Sequence, residues 1–383
     1  MEKYLVKRWS EILSIISGIN QKAVVNPAGK YPIYGSGGKI GVADDFLCEA
    51  GTTIVGRKGT INNPIFVNER FWNVDTAFGI CPGPELNPNF LYYFCCFFDF
   101  RALDKSTTIP SLAKSDLLNI EMPVPSLSEQ ERIVSRIEEL FSQLDSGVET
   151  LKKVKQQLAV YRQAVLKEAF EGTLTGVKPY TVKRLGEYIE PPRYGTSKKC
   201  SYNAAEGHIQ VYRIPNIDHA AGQIEHSDIK YAAFTEQELE GIKLKEGDIL
   251  IIRSNGSISL VGRAAMVYDV DTNGTFAGYL MRLRIRDIEK MKPKYLLWFL
   301  HSHSARIYIE GKAKSTSGVH NINSKEISEL PIPLFSPTEQ VQIVQTTETR
   351  LSICGSIEQT VDTALQQAEA MRKSILKQAF GGG

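Results

Sequence analysis

The side chains best suited to chemistry come in pairs. Arg57-Lys58 and Arg253-Ser-Asn255 each close an apolar run and stand beside glycines, the setting of a strand end or loop tip. Lys105, Thr107 and Thr108 occupy one polar stretch, and Lys314, Thr316, His320 and Asn321 occupy its counterpart. The chemistry these types offer is non-covalent. Arginine and lysine contact phosphates or guanine edges, and asparagine reads adenine. For any one of them a solvated loop is the ordinary fate. Recurrence at equivalent places in both halves points instead to a shared fold role or a shared binding role.

Motifs for covalent chemistry fail on inspection. The glycine-rich GSGGKIG (35–41) has Ile40 after Lys39, where a phosphate-gripping loop needs Ser or Thr, so it reads as a turn. Asn63-Pro-Ile-Phe66 resembles the NPPY/F motif of adenine methyltransferases, but it lacks the second proline and an upstream cofactor loop. His301-Ser-His303 has no carboxylate or thiolate at ligand spacing, and reads as a helix end or surface loop with no metal. No nucleophile elbow, HExxH or deaminase signature is present. The chain reads as non-catalytic and in need of no cofactor of its own.

The elements that must position the basic residues are written twice. Ser126–Phe170 begins SLSEQERIV and ends VLKEAF; Ser336–Phe380 begins SPTEQVQIV and ends ILKQAF. A shift of 210 maps Glu129-Gln130 onto Glu339-Gln340 and Ala169-Phe170 onto Ala379-Phe380. Each copy follows a proline pair, Pro123 with Pro125 and Pro331 with Pro333, through which a helix cannot run. Each opens with a serine three residues before a glutamate, a capping box.

Apolar positions then recur as on one helix face. In the first copy they are Ile133, Ile137, Leu140, Leu144, Val148, Leu151, Val154, Leu158, Tyr161 and Val165. In the second they are Ile343, Thr347, Leu351, Cys354, Ile357, Val361, Leu365, Ala368, Met371 and Ile375. The mean step is about 3.6 residues, the period of a helix or coiled-coil seam. Such a rod, roughly 67 Å long at ~1.5 Å per residue, cannot bury its stripe alone. The other copy is the natural partner, and Gly147 and Gly355 are the places for a bend.

The intervening stretches also match. A shift of 196 puts Gly51 on Gly247 and Arg57 on Arg253, and one of 209 puts Lys105-Ser-Thr107 on Lys314-Ser-Thr316. Short β-branched runs bounded by Gly, Asn and Pro read as strands, WSEILSIISG as an amphipathic opening, and LNPNFLYYFCCFFDFRALD as a buried helix. The order is globule, rod, globule, rod, with 1–121 and 177–329 as mixed α/β globules and 122–176 and 330–383 as rods. The second copy ends at Gly381-Gly-Gly383 where the first runs on through GTLTG.

Composition bounds the class. At 383 residues, 42% apolar and 23% charged, the chain has the make-up of a globular protein of two or three domains. Net charge over the four segments is 0, −1, +4 and −1. The +4 on 177–329 permits nucleic-acid binding without arguing for it. Six cysteines without a CxxC pair, and no apolar run of membrane-spanning length, fit a reduced cytoplasm.

Taken together, the paired PxP and EQ starts, the long helices, the LKEAF and LKQAF ends and the GDILI-R-G-G pattern at 247–256 with its weaker counterpart at 51–59 resemble the specificity subunits of Type I restriction–modification enzymes. The resemblance covers the whole chain and implies an α+β fold. In it, two mixed α/β target-recognition domains, 1–121 and 177–329, are separated by an antiparallel pair of long helices with an internal twofold repeat. It implies a prokaryotic, cytoplasmic, non-catalytic subunit that reads a bipartite site on double-stranded DNA, and because the two globules differ in length and sequence that site is expected to be asymmetric. The helices would dock two modification (methyltransferase) subunits, and restriction subunits would join that core. S-adenosylmethionine, ATP and Mg²⁺ would belong to those partners.

The DNA-binding candidates are therefore Arg57, Lys58, Lys105, Thr107, Arg253, Asn255, Lys314, Thr316 and His320. The helix-pair packing candidates are Ile133, Ile137, Leu140, Leu144, Leu151, Leu158, Ile343, Leu351, Val361, Leu365 and Ile375. Two other readings differ in what they predict. A protein-interaction scaffold with peptide-binding heads would show no DNA sequence preference, and an enzyme with an unrecognised site would turn over a substrate alone.

Overall fold

Pro123 sits in a strand with Pro125 just past its end, and both Pro331 and Pro333 sit in the matching strand. The computed structural model describes residues 4–171, 174, 176, 181–316 and 318–381. In it Glu121–Val124 pairs antiparallel with Leu5–Arg8, and Pro331–Leu334 pairs with Thr181–Arg184. These are two-stranded ribbons, and proline is tolerated where a strand has a free side. The chain divides into two compact units, Met1–Lys153 with Val361–Gly383 and Val154–Thr360. The expected boundary between 176 and 177 adjoins residues 177–180, which lie outside the described ones.

In the first unit a four-stranded antiparallel sheet runs in the order Leu13–Ser17, Ala77–Pro82, Thr52–Gly56, Ile65–Val67. A three-stranded sheet runs Gly38–Ala43, Tyr31–Gly35, Trp72–Asn73. The glycine-rich run is the hairpin between Tyr31–Gly35 and Gly38–Ala43. The amphipathic opening is one helical turn, Trp9–Ile12, followed by strand Leu13–Ser17. Five apolar or small residues in a row can serve either period, and pairing with Ala77–Pro82 decides for the strand. The helix expected from Leu86 onward is Pro88–Phe97. Asn87 caps it by accepting from the amides of Asn89 and Phe90.

In the second unit a six-stranded sheet runs Arg193–Tyr194, Leu280–Leu283, Ile249–Ile252, Ala264–Met266, Gln223–Ile224, Ile217–Asp218. Ile249–Ile252 is buried throughout, as is Thr52–Gly56 in the first unit, because both faces of each strand are covered. Each strand is entered through a left-handed glycine, Gly51 or Gly247, whose amide donates to Val67 or Val267. At either position φ is above +80°, which a side chain rarely adopts.

Both long helices are continuous, Leu127–Glu171 and Pro337–Phe380, and run unbroken through Gly147 and Gly355. Each contributes a segment to both units. In the first unit Val134 and Ile137 share a core with Leu376 and Phe380, and Arg372 pairs with Asp145. In the second, Val165 and Phe170 share a core with Ile343 and Leu351, and Arg162 meets Glu358 at 2.7 Å. Within each unit the two segments therefore run antiparallel. Phe380 packs on Phe90, Phe94 and Phe97, and Phe170 packs on Tyr295 and Phe299.

The helix starts carry the strongest echo. Gln130 is 0% exposed; its Oε1 accepts from the Asn87 amide at 2.8 Å and its Nε2 donates to the carbonyls of Glu85 and Pro125. Gln340, also 0% exposed, does the same with the Lys292 amide and the carbonyls of Lys290 and Phe335. Each glutamine thus clamps the loop before a globule helix to the start of a long helix. Ser336 and Glu339 close a full capping box. In the first copy the Glu129 carboxylate turns to the Tyr4 hydroxyl and the Arg132 guanidinium, while Ser126 still accepts from the Glu129 amide at 3.4 Å.

Candidate nucleic-acid interface

Strand Ile249–Ile252 delivers Arg253 to the edge of the second unit, and two loops fix its backbone there. The Arg253 amide donates to Tyr279 O and its carbonyl accepts from the Ile322 amide, both at 2.9 Å. Beyond it Ser254–Asn255 pairs with Val319–Asn321, which in turn pairs with Lys314–Thr316. Directly after Arg253, one small sheet therefore collects Asn255, His320 and the strand bearing Lys314 and Thr316, the side chains of those last two lying outside the described residues. Asn255 faces His320 across the ladder, and its Oδ1 accepts from the Ser257 amide at 2.8 Å. His320 is half-buried, and its Nδ1 is shut from solvent without a hydrogen-bond partner.

The first unit repeats this frame with less structure. Arg57 follows Thr52–Gly56, its amide donates to Thr76 O, and its carbonyl accepts from the Leu112 amide at 2.9 Å. Lys58 is exposed and bridges to Ser111. Arg57 is half-buried, with its guanidinium 5.7 Å from the Phe78 ring. Lys105 is exposed and pairs with Asp116 at 2.9 Å, and Thr107 is exposed in the same loop. That loop is shaped by Asp104, whose carboxylate accepts from Ser106 and Ser111 and is held below its ordinary range by those bonds.

In the second unit the Arg253 end of the frame opens on a cleft of about 680 Å³. Its lining carries four cations, Lys198, Arg213, Lys230 and Arg253, and no carboxylate among the described residues. Arg213 pairs with Asp228 at 2.8 Å and Lys198 with Glu238 at 2.7 Å from outside that lining. Hydrogen bonding from Tyr202, and then from Arg213, holds the Asp228 carboxyl low against a desolvation penalty. Lys230 lies 4.6 Å from the Tyr202 ring and Arg253 4.4 Å from that of Tyr194. Tyr202 and Tyr279 are 64% and 63% exposed. Cations alternating with open aromatic faces can hold a phosphate backbone and stack or contact bases.

Sequence reasoning missed Tyr194, Lys198, Arg213, Lys230 and Tyr279. The signal for the first two lay in RYGTSKKCSY (193–202), where basic and aromatic residues interleave. The other three come from distant stretches that only the fold unites. His301, set aside as a helix end, does end helix Pro293–Leu300, but inside the protein. Its Nε2 accepts from the Ala264 amide at 3.2 Å, and burial first, then Arg263, His219 and Arg306, pushes its pKa down to about 3. It is a neutral structural group. Among the described residues no cluster of three or more His, Cys, Asp or Glu forms a metal site, and no helix is long and apolar enough to cross a membrane.

The helix-packing candidates divide by position. Ile137, Leu158, Ile343, Leu351 and Val361 are buried. Ile133, Leu140, Leu144, Leu151, Leu365 and Ile375 are half-buried, while Val134, Val165 and Leu166 are buried beside them. Tyr161, Ile357 and Met371, on the same expected stripe, are exposed. In the first unit Leu144, Val148, Leu151, Ala368 and Met371 help line an apolar groove of about 310 Å³ between the helix segments.

Comparison with known proteins agrees with this architecture. The family model described as "Type I restriction modification DNA specificity domain" matches residues 1–158 and 177–367. The Type I restriction enzyme EcoKI specificity subunit of Escherichia coli (strain K12) is 32% identical over 279 residues, 70% of this chain and 58% of that protein. The StySPI specificity subunit of Salmonella potsdam is 29% identical over 317 residues, 79% of this chain and 66% of that protein. The chain thus matches less than two thirds of the length of either relative. A chain solved in work on complex assembly and conformational transition of the type I R-M system shares the fold. Its TM-score is 0.77 at 18% identity, with 99% of this chain and 98% of that one covered. With its two globules, repeated helix starts and twice-built arginine frame, the chain belongs to the Type I restriction modification DNA specificity domain family.

Proposed function

We propose that this chain is the DNA sequence-specificity subunit of a Type I restriction–modification complex and is not itself an enzyme. The observation that carries the proposal is the arginine frame built twice, around Arg57 with Leu112 and around Arg253 with Ile322, on globules whose loops otherwise differ. Two different heads on one frame suit two different half-sites, so the target is bipartite and asymmetric. The 177–329 domain contacts DNA through its cationic cleft and the small sheet beside it. The 1–121 domain does so through Arg57, Lys58 and the Lys105–Thr107 loop. Phosphate contacts from lysines set register, and arginine and asparagine contacts to base edges supply specificity.

The two long helices, each shared by both compact units, act as the spacer that half-site recognition at a fixed separation needs. The apolar residues left open along them, Ile353, Ile357 and Met371 among others, support docking of two modification subunits, to which restriction subunits attach. S-adenosylmethionine, ATP and Mg²⁺ act in those partners, in a prokaryotic cytoplasm. The test is binding of the full chain with its modification subunits to duplexes carrying the selected site. Inserting two base pairs between the half-sites collapses affinity if the helices measure distance; unchanged affinity refutes it. Binding without sequence preference would favour a scaffold instead.

A further inference from the structure

We infer that Arg253 reads a guanine in one half-site and that Tyr194 is the residue that positions it. The inference rests on the DNA-reading function proposed above. Of the four cleft cations, Arg213 and Lys198 already face carboxylates at 2.8 and 2.7 Å. Arg253 has no carboxylate at ion-pair distance among the described residues, yet its side chain is fixed. The guanidinium lies 4.4 Å from the centroid of the Tyr194 ring, and Nη1 donates to Gly278 O at 3.0 Å. Nε is enclosed without a partner, which leaves the terminal Nη edge to meet a ligand.

Tyr194 is itself anchored. Its backbone pairs with Met281, and its hydroxyl accepts from the Ser324 amide at 3.0 Å. The backbone of Arg253 is tied on both sides, to Tyr279 and to Ile322. The result is an uncompensated planar donor fork held in one orientation before any ligand arrives.

A phosphate does not require such a fixed plane, and a lysine on a flexible stem, such as Lys230 over Tyr202, serves it well. A fixed fork matches two acceptors side by side in a base plane. Guanine offers O6 and N7 in the major groove. Adenine sets a donor beside its N7, cytosine presents a donor, and thymine has a single acceptor next to a methyl group. Only guanine satisfies both N–H groups.

The test uses the full chain with its modification subunits and a pool of duplexes carrying a randomised central segment, with bound molecules sequenced. Wild type selects two half-sites. Arg253→Ala and Arg253→Lys each relax one guanine in one half-site, with preference for that base falling roughly ten- to hundredfold. The rest of the consensus and the other half-site remain, which shows that the protein is folded. Lysine keeps the charge and stem, so the slope of affinity against salt is unchanged in that variant. Tyr194→Ala weakens the same guanine, and Tyr194→Phe weakens it less, since the ring does the holding and the hydroxyl only anchors the ring to the Ser324 amide.

A guanine retained by Arg253→Lys overturns the assignment, as does uniform loss at every position with a shallower salt slope, the mark of a phosphate contact. A wild-type pool with no consensus overturns the DNA-reading function itself, and Arg253 with it.

Discussion

Replacing Gln130 with alanine tests whether the repeated glutamine is a structural clamp. The side chain is fully enclosed and makes three hydrogen bonds, all to backbone groups: the Asn87 amide and the carbonyls of Glu85 and Pro125. A net contribution of about 1 kcal/mol per bond gives roughly 3 kcal/mol, and groups left enclosed without partners would raise that to roughly 5 kcal/mol. The loss falls first on the junction between the 83–87 loop and the helix starting at Leu127. Hydrogen exchange is the assay, because a chain of two units need not unfold in one step. In Gln130→Ala the Asn87 amide should exchange on the order of a hundredfold faster, the rate equivalent of about 3 kcal/mol, while the Lys292 amide keeps its protection. Gln340→Ala should show the converse, and no more mildly, since Lys292 offers no side-chain oxygen to cap the helix beginning at Pro293. Gln130→Glu keeps an acceptor for Asn87 but sets a carboxylate against two carbonyls, so it should not rescue. Wild-type protection of Asn87 in Gln130→Ala, with a total loss below about 1 kcal/mol, would refute the clamp.

Two further outcomes follow from the packing. Phe380→Ala removes a ring that sits 5.1 Å from Phe90 and 5.7 Å from Phe94 between centroids. It should cost the first unit about 3–5 kcal/mol in urea denaturation, as should Phe170→Ala in the second unit. His301 makes stability pH-dependent. Its folded pKa of about 3 lies below the unfolded value of 6.5, so only the unfolded chain takes up a proton between them. Stability is unaffected above the unfolded value and falls as pH drops below it, by roughly 2 kcal/mol at about pH 5. His301→Gln, which keeps an acceptor for the Ala264 amide, should flatten that part of the stability–pH curve; an unchanged slope would show that another group carries it.

What could be read in the residues is whatever repeats. The shift of 210 located both long helices, and matching Arg57 to Arg253 picked out the frame that the Leu112 and Ile322 amides complete. Less legible was anything depending on distant partners. Gln130 and Gln340 stood out as part of a motif, but nothing in a sequence says that an exposed-type amide is wholly enclosed by three backbone groups. The proline pairs marked helix boundaries correctly, and their strand partners, Leu5–Arg8 and Thr181–Arg184, lie more than a hundred residues away. Val6-Lys7-Arg8 and Val182-Lys183-Arg184 are themselves a repeat in the sequence. Among the cleft residues, Lys230 opens the strand Lys230–Ala233 and Tyr279 lies in the turn before Leu280–Leu283, two places that only the fold brings to one cleft. On the helix stripe, periodicity located the face, but it could not tell that Tyr161, Ile357 and Met371 stay open to solvent while Val134 and Leu166 beside the stripe are buried.

The division of the chain also fixes the order in which it can fold during synthesis. The unit 154–360 is one uninterrupted segment, whereas the other is assembled from residues before 154 and after 360. Phe380, which packs on Phe90, Phe94 and Phe97, leaves the ribosome only after the whole of the second unit has been made. The first unit can assemble most of its core early, but the part that Leu376 and Phe380 complete has to wait. The later-made unit closes its core first. Until Phe380 arrives, the face of helix Pro88–Phe97 formed by Phe90, Phe94 and Phe97 lacks that ring, and the nascent chain carries it open for the time needed to make the second unit.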